Sequence, residues 1–125
     1  MTVLTILVAE DDALQALVLG DILEEMGHKV CAVTSTVSGA LAAVASYHPT
    51  LLIVDAWLKD GSSLTLIDKV CEKGHVPHLF ATGDVAKIKL ARPNAVVIQK
   101  PYTVFELEKA IDRAIAVVPV VKVSH

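Results

Sequence analysis

Four consecutive apolar residues, Leu51 to Val54, lead directly into a carboxylate, Asp55. Two of the four are β-branched, which predicts a short strand that is buried on both faces. Such strands are typical of parallel sheets, and open parallel sheets bind their ligands beyond the carboxyl ends of the strands. Taken alone, Asp55 is either a turn residue or part of such a site.

Apolar runs and helical patterns alternate along the chain. Strands are predicted over residues 5–9, 29–33, 51–54, 77–81 and 95–99. Helical patterns separate them, and the fourth, over 85–91, is short and marginal. This alternation predicts an α/β fold of the (βα)5 type, a doubly wound sheet of five parallel strands with helices on both faces.

Residues typical of helix ends flank two of the helical patterns. In the first, Asp12 is placed to cap the N-terminus, Gly27 follows the end, and the expected inner face consists of Leu14, Leu17, Val18, Ile22 and Met26. The last begins with a capping-box pattern from Thr103 to Glu106. Its apolar stripe consists of Val104, Leu107, Ile111, Ala114, Ile115 and Val118.

Composition excludes several classes of function. The net charge is −3 and no basic stripe is present, so a nucleic-acid partner is not expected. No apolar run reaches the ~18 residues of a membrane span, and no basic leader precedes Glu10. We therefore expect a cytoplasmic protein without a membrane partner. Residues 1–118 are predicted to form one domain, and 119–125 a short tail without an output domain.

The cysteines and histidines show no spacing typical of a metal site. Cys31 and Cys71 are far apart and are predicted to be buried free thiols. The histidines are predicted to be surface or turn residues, and they are His28, His48, His75, His78 and His125.

Polar residues follow four of the predicted strands. Because the carboxyl ends of parallel strands meet at one edge, we expect these residues to be neighbours: Glu10, Asp11, Asp55, Thr82 and Lys100. Crowded carboxylates need a compensating cation, and Mg²⁺ prefers such oxygen ligands. A lysine and a hydroxyl would then face an incoming phosphoryl group, with Asp55 as the nucleophile.

Two other classes of doubly wound protein do not fit. A flavodoxin needs a phosphate cradle after its first strand, where this chain has Glu10, Asp11 and Asp12. A dinucleotide-binding Rossmann enzyme needs G-x-G-x-x-G, which is absent.

In the order and spacing of its motifs, the chain resembles the receiver domain of two-component response regulators. Residues 6–12 are similar to the family's first strand and acidic pair, and 52–55 to its phosphoacceptor strand. Thr82 matches the switch hydroxyl, and Lys100 and Pro101 match the lysine-proline pair. The resemblance implies a flavodoxin-like receiver fold with strand order 2-1-3-4-5.

The resemblance also implies a role for each matched residue. Asp55 would accept a phosphoryl group from a histidine kinase or a histidine phosphotransfer protein, with Thr82 and Lys100 turning toward it. Mg²⁺ or Mn²⁺ would be held by Glu10, Asp11, Asp55 and the backbone carbonyl of Trp57. Pro101 would follow a cis peptide, and the face of the fourth helix, fifth strand and fifth helix would bind a downstream protein. The protein would be a phosphoacceptor and not a conventional enzyme.

The chain departs from the family pattern at two places. Val97 occupies the switch position where many receivers have an aromatic residue, and the stretch from Thr82 to Lys100 is short. Trp57 and Asp84 stand at the positions that tune phosphate lifetime in the family. Residues 80–83, Phe-Ala-Thr-Gly, resemble a group of alphaproteobacterial single-domain regulators linked to stress-response phosphorelays.

Three functions remain open at this point. The first is the phosphoryl-accepting switch, and the second is a receiver-like scaffold that works without phosphorylation. The third is a magnesium-dependent phosphohydrolase, which the sequence disfavours because Trp57 stands where haloacid-dehalogenase-like phosphatases have a second aspartate.

Overall fold

The structure, a computed structural model, describes residues 2–116. In chain order its elements are β1 (Thr5–Ala9), α1 (Ala13–Glu25), β2 (Lys29–Thr34), α2 (Val37–Tyr47), β3 (Leu51–Val54), β4 (Trp57–Leu58), β5 (Gly61–Ser62), α3 (Ser63–Val70), β6 (His78–Thr82), α4 (Val85–Ala91), β7 (Val97–Gln99) and α5 (Val104–Ala116). Val118 and the predicted tail lie outside the described residues.

Five strands form one parallel sheet in the order β2-β1-β3-β6-β7. This is the predicted order, since β6 and β7 are the fourth and fifth strands of the sheet. The register pairs Ala9 with Val54, Val54 with Phe80, and Thr82 with Gln99. The residues that follow β1, β3, β6 and β7 therefore all emerge at one edge of the sheet.

Helices cover both faces of the sheet, and alternate strand residues pack against each layer. Ile6, Val8 and Ile53 lie in the core with α1 and α5. Leu52 and Phe80 lie in the core with α2, α3 and α4. Because successive strand side chains point to opposite faces, a continuous apolar strand supplies both cores.

The predicted inner face of α1 is wrong for three residues. Leu14, Leu17 and Val18 are 69%, 61% and 50% exposed, whereas the buried residues are Ala16, Leu19 and Leu23. Apolar residues occupy several sides of this helix, so their spacing does not identify the side that meets the sheet.

The loop after Asp55 contains more structure than expected. Trp57–Leu58 pairs antiparallel with Gly61–Ser62, which makes a small hairpin outside the main sheet. The short helix predicted over 85–91 is confirmed as α4. Among residues 2–116, none of the helices combines the length and apolar composition that crossing a membrane requires.

Candidate functional site

Three carboxylates gather at the carboxyl edge of the sheet. Glu10 and Asp11 follow β1, and Asp55 follows the adjacent β3. One oxygen from each lies within 4.8 Å of the others. Glu10 is buried, Asp55 is largely buried and Asp11 is exposed, so the group opens to solvent on one side. Its hard oxygen donors are the type that Mg²⁺ and Mn²⁺ prefer.

Lys100 brings a positive charge into this group. Its Nζ donates a hydrogen bond to Asp55 Oδ2 at 3.0 Å and another to Glu10 Oε1. Its backbone N–H donates to the Thr82 carbonyl at 2.9 Å, and the Lys100–Pro101 peptide is cis. The end of β7 is thereby connected to the ends of β1, β3 and β6.

Burial and hydrogen bonding shift the pKa values of Lys100 and Glu10 in opposite directions. Burial lowers the pKa of Lys100, but the hydrogen bonds to Glu10 and Asp55 outweigh it, so the pKa is raised and the ammonium form is favoured. Burial raises the pKa of Glu10, and the hydrogen bond from Lys100 opposes that rise only in part. One ammonium therefore faces three carboxylates, and the pocket retains an excess of acceptor oxygens.

Backbone hydrogen bonds fix the position of Asp55. The Asp55 N–H donates to the Ala9 carbonyl at 2.9 Å, and the Ala56 N–H donates to Asp55 Oδ1 at 2.6 Å. Glu10 Oε2 accepts from the Asp12 N–H at 3.2 Å, while Asp12 Oδ1 caps α1 by accepting from Gln15 N–H at 3.0 Å. Asp12 therefore acts as a helix cap at the border of the acidic group.

Thr82 lies at the end of β6 and is buried. Its hydroxyl accepts a hydrogen bond from the Asp84 N–H at 3.0 Å. Asp84 in turn caps α4, since its Oδ1 accepts from the Lys87 N–H at 3.3 Å. In this structure the Thr82 hydroxyl is thus bonded to its own loop. Val97 is half-buried on β7, paired in register with Phe80.

Trp57 and Asp84 are linked through a residue that the sequence did not single out. The Trp57 side chain is largely exposed, and the Lys87 ammonium lies over its ring. A cation above an indole face is attracted by the ring quadrupole. Because Lys87 is on α4 and Trp57 is in the hairpin, this contact joins the fourth helix to the hairpin that follows Asp55.

A cleft of about 500 Å³ gives access to the group. Its lining includes Glu10, Asp55 and Lys100 together with the exposed α1 residues Leu14 and Val18. The cleft therefore combines groups of the site with apolar side chains of α1.

Two of the histidines predicted to be surface or turn residues lie beside Cys71. His75 is in the loop after Gly74 and His78 begins β6, and both are half-buried. The signal available in the sequence was the local spacing Cys-x₃-His-x₂-His, which becomes meaningful only once the loop closes on itself.

Comparisons with known proteins agree with the fold. The family model of the response regulator receiver domain matches residues 6–112. The phyllosphere-induced regulator PhyR of Methylorubrum extorquens is 32% identical in an alignment of 114 residues, and the match covers 88% of this chain and 43% of that protein. The chain thus spans less than half the length of this curated relative.

Solved structures of PhyR proteins are similar as well. The PhyR response regulator REC domain of Erythrobacter litoralis has a TM-score of 0.83 and 26% identity, with 91% of each chain covered. PhyR of Brucella abortus also has a TM-score of 0.83, with 21% identity over 91% of this chain and 48% of that one, a likeness of fold alone.

Proposed function

Because this chain belongs to the response regulator receiver domain family, we propose that it accepts a phosphoryl group on Asp55. The donor would be a histidine kinase or a histidine phosphotransfer protein. The phosphorylated form would then signal by protein interaction or pass the group on in a phosphorelay.

One observation carries the proposal: Lys100 Nζ bridges Asp55 and Glu10 while Asp11 lies within 4.8 Å of both carboxylates. The geometry provides a nucleophile, a cation and spare oxygen ligands in one pocket. An Asp55 oxygen would form a bond to phosphorus as the bond from phosphorus to the donor imidazole breaks. The imidazole nitrogen leaves with the electron pair and is protonated by solvent.

The chain's own residues would orient and stabilise the transferred group. Lys100 is placed to remain paired with Asp55 and to donate to a phosphoryl oxygen. The Thr82 hydroxyl would exchange its bond with the Asp84 N–H for one to the phosphoryl group. Held by Glu10, Asp11, Asp55 and the Trp57 carbonyl, Mg²⁺ or Mn²⁺ would supply positive charge that offsets the carboxylate and phosphoryl oxygens.

The exposed face of α1 is suited to the phosphoryl donor. Leu14, Leu17 and Val18 are exposed apolar residues of α1, and two of them, Leu14 and Val18, also line the cleft that contains Asp55. A donor docked there would place its histidine at the open side of the acidic group. Exposed apolar patches of this kind mark protein interaction sites.

A different face would carry the output. Leu90 on α4 and Phe105 on α5 are 85% and 65% exposed and flank β7. Movement of Thr82 would shift the loop that begins α4. Phosphorylation would therefore change which conformation of this α4/β7/α5 face is most populated. Val97 is smaller than the aromatic residue of many receivers, so this switch would rest on Thr82 and α4.

The experiment is the intact mass of the protein after incubation with acetyl phosphate, with and without Mg²⁺. We expect one phosphoryl adduct that requires the ion, and no adduct in Asp55→Asn. Asp12→Asn is the matched control, because it removes a nearby carboxylate while asparagine preserves the cap of α1.

Two outcomes would contradict the proposal. If Asp55→Asn gains the adduct at the rate of the unmodified protein, Asp55 is not the acceptor. If no adduct forms with acetyl phosphate or a phosphorylated histidine phosphotransfer donor, despite demonstrated Mg²⁺ binding, the phosphorylation-independent scaffold is favoured instead.

A further inference from the structure

Cys71, His75 and His78 converge at the amino edge of the sheet, away from Asp55. Cys71 ends α3, and His78 is the first residue of β6. Between them the chain turns at Gly74, whose φ of +146° favours glycine. All three side chains are half-buried, and one donor atom from each lies within 4.8 Å of the others.

The imidazole of His78 is held in the tautomer that a metal ligand needs. Its Nδ1 lies 2.7 Å from the Val76 carbonyl oxygen. A carbonyl only accepts hydrogen bonds, so Nδ1 carries the proton and Nε2 keeps a free lone pair. Histidines that bind metals commonly donate their other ring nitrogen in this way.

His75, the second imidazole of the cluster, has a ring nitrogen without a hydrogen-bond partner. Nε2 of His75 is one of two buried side-chain polar atoms within residues 2–116 that lack a hydrogen bond. Buried polar atoms are nearly always satisfied, so such an atom calls for an explanation. The ring of His75 lies beside that of His78, with centroids 5.6 Å apart. A cation at the cluster would satisfy Nε2.

We propose that Cys71, His75 and His78 bind a divalent transition-metal ion of the Zn²⁺ type. A thiolate with two imidazoles is a borderline-soft donor set, which favours Zn²⁺ or a neighbouring transition metal over Mg²⁺. Three protein ligands leave the fourth tetrahedral position for water or a further ligand. Arg92 is paired with Asp68, which offsets its charge.

This site and the acidic group lie at opposite ends of β6. His78 begins the strand and Thr82 ends it, four steps of ~3.3 Å apart. The donor types also differ, since the acidic group offers only oxygen. The two sites are therefore separable by experiment, and the metal site stands whether or not Asp55 is phosphorylated.

The test is a titration of the reduced, metal-free full chain with Co²⁺, followed by displacement with Zn²⁺. We expect a thiolate-to-cobalt charge-transfer absorption that saturates at one Co²⁺ per chain when excess Mg²⁺ is present to occupy the acidic group, and loss of that absorption when Zn²⁺ is added. Excess Mg²⁺ should leave it unchanged. Cys71→Ser should abolish the absorption. Cys71→Ser and His75→Gln should each weaken Zn²⁺ binding at least about 100-fold, because even loss of an outer-sphere partner weakens metal sites 10–100-fold.

Matched controls are available within the chain. Cys31→Ser removes the other thiol, His48→Asn removes an exposed histidine at a left-handed position, and Asp55→Asn alters the acidic group. All three should keep the charge-transfer absorption. The proposal is overturned if Co²⁺ binds without that absorption, or if Cys71→Ser binds Zn²⁺ as tightly as the unmodified protein.

Discussion

The Lys100 ammonium contacts carboxylates that a divalent cation would also need as ligands. It bonds to Glu10 and Asp55, two of the three carboxylates that would hold the ion. Like charges a few ångströms apart repel by several kcal/mol even at the effective dielectric of a protein surface. In the resting state, therefore, Lys100 opposes the binding of a metal ion.

We expect Lys100→Met to tighten Mg²⁺ binding by about tenfold, equal to ~1.4 kcal/mol. Removal of the ammonium leaves the three carboxylates without an internal counter-charge. Trp57, the single tryptophan, lies two residues from Asp55, so its fluorescence should report the titration. Lys73→Met is the control, because Lys73 is exposed and outside the acidic group. Unchanged or weaker Mg²⁺ binding in Lys100→Met would contradict this account.

Single residues differ in how far the sequence could predict them. Glu10, Asp55 and Lys100 were predictable as neighbours because each directly follows a strand, and parallel strands end at one edge. The contact of Lys87 with Trp57 was not, since it joins α4 to the β4–β5 hairpin, whose relative position depends on tertiary packing. The Cys71 cluster escaped for a different reason: its spacing is local, but the three side chains meet only because the chain turns at Gly74.

At the scale of elements, the β4–β5 hairpin supports the start of α2. Asp60, at the tip of the hairpin, accepts hydrogen bonds from Val37 N–H at 2.6 Å and Ser38 N–H at 3.2 Å. Thr36 adds a cap by accepting from Gly39 N–H at 2.9 Å. These bonds satisfy amides in the first turn that have no partner within the helix.

The Asp60 contact should be visible in the pH dependence of stability. The hydrogen bond from Val37 N–H is the main cause that lowers the pKa of Asp60. A carboxyl with a lowered pKa stabilises the fold above its unfolded pKa of about 4, and this contribution is lost as the pH falls through the folded value. We expect Asp60→Asn to be less stable than the unmodified protein at neutral pH, with the difference shrinking at about pH 3.

Urea unfolding of both proteins at the two pH values measures this difference. Asp21→Asn, which changes an exposed carboxylate on α1, is the matched control. A difference between Asp60→Asn and the unmodified protein that is the same at both pH values would show that ionisation of Asp60 does not stabilise α2.

The capping box at α5 gives a second prediction for an element. Thr103 Oγ1 accepts from Glu106 N–H at 3.1 Å, and Glu106 Oε1 accepts from Thr103 N–H at 3.1 Å. We expect Thr103→Ala to lower the free energy of unfolding by about 1 kcal/mol, and Thr103→Ser to retain most of it. Equal stability of the alanine variant and the unmodified protein in urea unfolding would refute the role of this cap.

Some features of the helices and strands were predictable from local sequence signals, and others depend on tertiary packing. The capping box and the short α4 have local signals, and both are confirmed. The buried side of α1 depends on how the connection from β1 crosses the sheet, and apolar residues on several sides of the helix concealed it. The hairpin of Trp57–Leu58 and Gly61–Ser62 is too short to show an alternating pattern.

For the whole molecule, β3 is the central strand of the sheet, and it also positions Asp55 in the candidate site. All four of its residues are buried, and it lies between β1 and β6. The order of strands was predictable from alternation and resemblance, and with it the edge at which Asp55 lies. A carboxylate at the end of a fully buried central strand is held by both cores, which fixes Asp55 with respect to Glu10 and Lys100.

Chemical trapping can identify the residue that carries the phosphoryl group. The protein is phosphorylated with acetyl phosphate and Mg²⁺ and then treated with borohydride, which reduces an aspartyl phosphate to homoserine. Peptide mapping by mass spectrometry identifies the converted residue. We expect homoserine at position 55 and nowhere else. Conversion at Asp11, Asp12 or Asp60, with Asp55 unchanged, would show that Asp55 is not the acceptor.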